Sequence, residues 1–364
     1  YEICACLVGS EMCIRDRALM LAAGIIAHHQ KLSALLAVGI LLLPATQYPA
    51  TTWWSKPDLD REYVLSLDVE HYFGNIQKMR KHLETDRQIL WVTYYRNLYN
   101  ATHPSEINSP VSLSRNLLAW NQPGTNGLIL PVNPSASFLS ILFANELWFT
   151  LGDMTMAEHC AMLSMIFSPR NSGSRMIKRL AEINLVNGDD EAALKYLRIL
   201  DKTLLHKSWA EKRIPGQQTP RVKEWLEKKR RDIPTQDQLR SGNDAVTSLR
   251  NLVASNAGNL RAYEYLLCYH LLSKDLRSFV EDYVPGKVSS PIFAEALLIH
   301  LARQGNIRAE ELIKYQIPVE IAKEFADYTR LYEAKDTSLK EKYGKTYWFY
   351  YHFATTEPGK ESKP

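Results

Sequence analysis

The sequence predicts an all-α protein in which helical hairpins, stacked as an α/α superhelix, follow a membrane-embedded start. Three observations carry this expectation. Helical periodicity runs almost unbroken after Lys56-Pro57, with no long alternating run of β-branched residues to suggest a sheet. Glycine turns recur at a nearly constant interval, and two strongly apolar runs precede residue 55. Composition allows a packed core, since 46% of the 364 residues are hydrophobic and 23% charged. The net charge of +4, from 44 basic and 40 acidic residues, gives no global case for nucleic acid or another polyanion as partner.

Taken in order, residues 1–17 (YEICACLVGSEMCIRDR) read as translated sequencing-adapter read-through and are set aside from the fold. On that reading the chain is the C-terminal part of a longer protein. Residues 18–54 are the expected membrane region. The run 18–27 is too short to cross a bilayer and reads as the end of a truncated span. The run 32–54 reaches the roughly 20 residues a spanning helix needs, and it ends on Trp53-Trp54, an aromatic pair suited to the membrane boundary. His28-His29-Gln30-Lys31 between them reads as a turn rather than a metal or proton site, because neighbouring helix residues point in different directions. Lys31 in that loop predicts a cytoplasmic loop, which places the following region on the extracytoplasmic, periplasmic side of a bacterial inner membrane. A signal peptide is the alternative, although the internal position of the run argues against it.

Residues 58–353 are expected to form the hairpin domain. An early turn at Gly74-Asn75 follows a helix containing Tyr63, Leu67 and Tyr72. The clearest units turn at Gly152-Asp153 and Gly188-Asp189, 36 residues apart, close to the tetratricopeptide (TPR) period of about 34. Glycine permits the left-handed conformation that ends a helix, and Ala157, Ala192 and Ala193 let the next helix pack closely. Two weaker turns, Ser273-Lys274-Asp275 and Gly305-Asn306, lie 32 residues apart. The fold class is therefore a TPR-like α/α superhelix. Trp148, Leu180, Tyr196, Leu197, Leu266, Tyr269, Leu297 and Leu301 fall on apolar faces and are expected in the core.

A polar insertion spans 214–242 and carries one helix over 221–231. Its Lys228-Lys229-Arg230-Arg231 cluster reads as a solvated helix end, with phosphate or lipid headgroups as the functional alternative. Asn121–Pro134 is a Gly- and Pro-rich loop. The aromatic block Tyr347–Phe353 is expected to seal the end of the array, and 354–364 is a disordered tail. Cys160 and Cys268 are expected to be buried thiols, and Cys4 with Cys6 lacks a second ligand pair for zinc. Asp68, Glu70 and His71 read as a polar surface face. In Glu158-His159-Cys160 the His and Cys diverge by about 100° on a helix, which removes a nucleophile pair. No helix-spaced histidine pair, phosphate-binding glycine loop or nucleophile elbow occurs, so no catalytic, cofactor-binding or metal residues are assigned and no cofactor is expected.

The segments RMIKRLAEINLVNGDDEAALKYLRIL, RAYEYLLCYHLLSKDL and YWFYYHF together resemble an uncharacterised bacterial family, a domain of unknown function with N-terminal membrane spans and a C-terminal TPR-like region. That resemblance supports the architecture and brings no site residues with it. The expected function is a membrane-anchored scaffold that binds a protein or peptide partner, with no nucleic acid. The alternative is an accessory domain of a larger multi-span membrane enzyme, for example a lipid-linked glycosyl transferase.

Overall fold

A computed structural model of the chain describes residues 59–84, 89–102, 128–130, 132, 138–167, 173–235, 244–288 and 290–354. Among these there are helices and no strands. In chain order they are α1 (Leu59–Phe73), α2 (Ile76–Leu83), α3 (Leu90–Thr102), α4 (Phe138–Leu151), α5 (Met154–Phe167), α6 (Ser174–Asn187), α7 (Asp190–Asp201), α8 (Lys207–Glu211), α9 (Pro220–Arg230), α10 (Ala245–Ser255), α11 (Leu260–Leu272), α12 (Leu276–Asp282), α13 (Pro291–Arg303), α14 (Ala309–Lys314), α15 (Val319–Glu333), α16 (Leu339–Tyr343) and α17 (Tyr347–Phe353). The fold is all-α. The stretch 1–17 and the expected spans within 18–54 lie outside the described residues, as do most of the 121–134 loop and the tail beyond residue 354. No described helix is long and apolar enough to cross a membrane.

The five expected turns share one backbone geometry. Gly74, Gly152, Gly188, Lys274 and Gly305 all have positive φ, from 58° to 92°. The residue after each donates its N–H to the carbonyl five residues back: Asn75 to Glu70, Asp153 to Trp148, Asp189 to Asn184, Asp275 to His270 and Asn306 to Leu301, at 2.9–3.0 Å. This satisfies carbonyls that the helix end leaves open. In three turns the acidic residue then caps the next helix. The Oδ1 atoms of Asp153, Asp189 and Asp275 accept from the N–H groups of Met156, Ala192 and Ser278 at 2.8–3.0 Å. A Gly-Asp pair thus closes one helix and opens its partner.

Packing largely follows chain order. α1, α2 and α3 pack on one another; α4 to α8 pack each on the next, as do α10 to α13. Every residue of α4 from Leu139 to Leu151 is buried, which makes it the central helix of its neighbourhood. Trp148, Leu180, Leu197, Leu266, Leu297 and Leu301 are buried as the apolar pattern predicts, while Tyr196 and Tyr269 pack against the core from its edge. Cys160 and Cys268 are wholly buried. The turn at Gly305-Asn306 departs from the expected unit: α13 packs on α15 and α17 rather than mainly on α14. The six-residue α14 buries none of its residues and is too short to present a packing face.

The described part of the polar insertion, residues 214–235, is knit into the body. Pro220 occupies the first turn of α9, where its missing N–H leaves no bond unmade. α9 packs on α6. Beyond it, Asn256 Nδ2 donates to Arg231 and Ile233 carbonyls at 2.6 and 3.1 Å, and Asn259 Nδ2 donates to Leu151 and Asp232 carbonyls at 2.7 and 2.8 Å. A Cβ at Gly152 would stand 2.2 Å from the Asp232 carbonyl oxygen, so this close approach also requires glycine. At the far end, α17 buries Tyr347, Trp348 and Tyr350. The Tyr347 and Tyr350 hydroxyls donate to the last carbonyls of α11, Leu271 and Leu272, at 2.9 and 2.8 Å.

Candidate functional site

The charged side chains of α6 are spaced so that Arg175, Lys178, Arg179 and Glu182, at i, i+3, i+4 and i+7, share one stripe. The deep end of the stripe is an ion network. Arg175 grips Asp68 with a two-pronged contact, Nη1 to Oδ2 at 2.5 Å and Nη2 to Oδ1 at 2.9 Å, and its Nη2 also reaches Glu146 Oε1 at 2.8 Å. The Tyr95 hydroxyl donates to Asp68 Oδ1 at 2.5 Å. Arg179 holds Glu146 Oε2 at 2.6 Å and Glu182 at 3.2 Å, and His71 Nε2 stands 3.5 Å from Glu146. Asp68 is 0% exposed and Glu146 5%.

The expected surface face of α1 is therefore corrected: Asp68 points into the core, and His71 turns toward a buried carboxylate. Each buried charge is tolerable because it is paired and hydrogen-bonded. Burial alone raises a carboxyl, yet the Arg179 and Arg175 guanidinium groups hold Glu146 well below its ordinary value. Burial also opposes the Arg175 charge, and Asp68 and Glu146 more than restore it. For Tyr95, burial and the Asp68 charge push the phenol well up. One signal of this network was available in sequence: Glu146 is the lone charge within FLSILFANELWFTL.

At its outer end the stripe meets cations from the insertion. Lys178 Nζ lies 4.5 Å from the Tyr72 ring centre and 5.1 Å from that of Trp209. The Arg213 guanidinium lies 4.1 Å from the Trp209 ring, and Arg179 and Lys229 stand 3.8 and 4.5 Å from the Phe149 ring. Lys229 Nζ donates to the Phe149 carbonyl at 3.3 Å, while Arg230 donates from Nε and Nη2 to Val186 and Leu185 at 3.0 and 2.8 Å. Arg261 Nη1 adds a bond to the Thr150 carbonyl at 3.0 Å.

The basic cluster 228–231 is accordingly not a uniformly solvated helix end. Lys229 and Arg230 complete the carbonyl ends of α4 and α6, where positive charge is favoured; of the four only Lys229 is half-buried, the others being exposed. Burial, then the like charges of Arg179 and Arg261, pull Lys229 down to about 8. Burial likewise lowers Arg213, with Glu182 opposing and Arg221 adding to the effect. Among the described residues no group of three or more His, Cys, Asp or Glu side chains is placed to hold a metal ion.

No curated protein and no solved structure matches the chain. The all-helical body, its Gly-Asp turns and its aromatic last helix lie within a match that covers residues 12–354, and on that match the chain belongs to the family of unknown function DUF6057.

Proposed function

We propose that the chain is a membrane-anchored, TPR-like helical-repeat scaffold that holds a protein or peptide partner. The observation that carries this reading is the neighbour-on-neighbour packing of α4 through α7, with a half-buried charged stripe of α6 left along one side. Stacked hairpins of this kind offer extended surfaces rather than a closed cavity, and binding along them is set by side chains in register on successive helices. Residues 18–54 supply the anchor on this reading, and the hairpin domain faces the extracytoplasmic side.

Photo-crosslinking in cells tests the partner. A photoreactive residue at Trp209 or Arg221 should yield a discrete adduct that the same residue at Arg277, exposed on α12, does not. Identical adduct patterns from all three positions would sink the proposal. An adduct formed only with a membrane segment of the same polypeptide would favour the accessory-domain alternative. For the anchor, the chain should stay with membranes through alkaline carbonate, and its hairpin domain should be cleaved by protease added to spheroplasts. Release by carbonate removes the anchor; protection from protease removes the sidedness.

A further inference from the structure

Half-buried cations are expected to find carboxylates, because a desolvated charge without a counter-ion is expensive. Along the α6 stripe this expectation is met at one end only. Arg175 and Arg179 are neutralised by Asp68, Glu146 and Glu182. Lys178, Arg213 and Lys229 are half-buried and Arg221 is exposed, and none of the four forms an ion pair with a carboxylate of the described residues. Their partners are neutral. Lys178 donates to the Tyr72 hydroxyl at 3.2 Å, Arg213 to the Trp209 carbonyl at 3.2 Å and Lys229 to the Phe149 carbonyl at 3.3 Å. Like charges lie close by, Arg179 to Lys229 and Arg221 to Arg213, and Glu182, with Asp232 at Lys229, acts against them without forming an ion pair with either cation.

We infer that this half-buried cationic face is the docking site for an acidic, extended peptide segment of the protein partner. Lys178 and Arg213 stand about the Trp209 ring and Lys229 beside the Phe149 ring, so the cations are divided between two rings, and the Glu182 carboxylate acts on both Arg213 and Lys229. An extended chain places alternate side chains roughly 7 Å apart, so spaced Asp or Glu residues can meet successive cations while the intervening residues lie against the half-buried Tyr72 and Trp209. Net charge hides this: a balanced +4 chain carries a local cationic surplus because tertiary contacts neutralise only part of the stripe.

The inference rests on the partner-binding reading and can fail without it. The test is fluorescence anisotropy of the full chain in detergent with a fluorescein-labelled peptide of alternating Glu and Ser, repeated at rising salt. Binding should weaken with salt, and K178E/R213E should weaken it by roughly tenfold or more. The milder K178Q/R213Q should weaken it less, which keeps the result readable if charge reversal harms folding. K228E/R231E, which reverses two exposed charges, should weaken it far less. The inference is overturned if the wild type fails to bind the peptide, or if K228E/R231E weakens binding as much as K178E/R213E. It is also overturned if inorganic phosphate, an oligothymidylate of equal charge or anionic vesicles bind more tightly than the peptide. Discrete cross-links at Trp209 or Arg221 without peptide binding would leave the scaffold standing and remove the acidic ligand.

Discussion

Removing Arg175 leaves the buried Asp68 without a cation and takes from Glu146 one of its two guanidinium partners. Arg175→Met should therefore lower stability by roughly 3–5 kcal/mol in urea unfolding, the range for breaking one side of a buried pair. Arg175→Lys should recover only part of this, since a lysine supplies the charge and not the planar fork; a lysine variant as stable as the wild type would refute the bidentate role. Two carboxyls also set opposite pH responses. Glu146 is held below its ordinary 4.5, so its contribution is present above that value and lost as pH falls through the lower folded one. Glu295, raised to about 7 chiefly by burial, behaves in reverse: its stabilising state is full below 4.5 and is lost as pH rises through about 7. Glu295→Gln keeps an oxygen for the Tyr347 N–H and cannot ionise. It should remain as stable as the wild type at pH 4 and exceed it by up to about 3 kcal/mol at pH 8. Parallel pH profiles for the two proteins would exclude this role.

At the scale of the element, the turns make separable demands. Gly152 and Gly188 both sit in left-handed backbone, but a Cβ at Gly188 meets nothing within 4 Å, whereas at Gly152 it meets the Asp232 carbonyl oxygen at 2.2 Å. Gly188→Ala should cost about 1–2 kcal/mol from backbone strain alone. Gly152→Ala should cost more, by roughly another 1–3 kcal/mol, because the 231–235 strap must also move. Equal losses in a denaturation comparison would mean that the strap is not seated there. The Gly-Asp turns and their near-constant spacing were legible in sequence because glycine conformation and aspartate capping are local properties. The weak unit at Gly305-Asn306 was not: the turn forms as expected, yet whether α13 pairs with α14 or α15 depends on which helix is long enough to offer an apolar face.

At the scale of the whole molecule, one hydrophobic core among the described residues runs from α1 to α17, with a small satellite of Ala181, Leu197, Leu200 and Ala210 under α7 and α8. The helices pack mainly on their neighbours in chain order, so damage at an end should stay local. Ending the chain before Tyr347 uncovers α13 and the last carbonyls of α11. Hydrogen exchange should then accelerate in α11 to α16 while α4 to α7 retain protection; uniform acceleration would show that the hairpins unfold as one unit.

By itself the sequence determined the all-α class, the five turns, the apolar core positions and a helix within the insertion, because each follows from spacing and backbone preference within a few residues. Only tertiary structure decided the charged site. Asp68 and Arg175 are 107 residues apart, and a carboxylate on a helix reads the same whether it faces water or a guanidinium. The basic run at 228–231 likewise reads as one cluster, and only the fold divides it into Lys229 and Arg230, which complete the ends of α4 and α6, and Lys228 and Arg231, which face solvent. The physical reason is range: helix and turn preferences act between neighbours in sequence, whereas the fate of a charge depends on which distant residue shares its desolvated space.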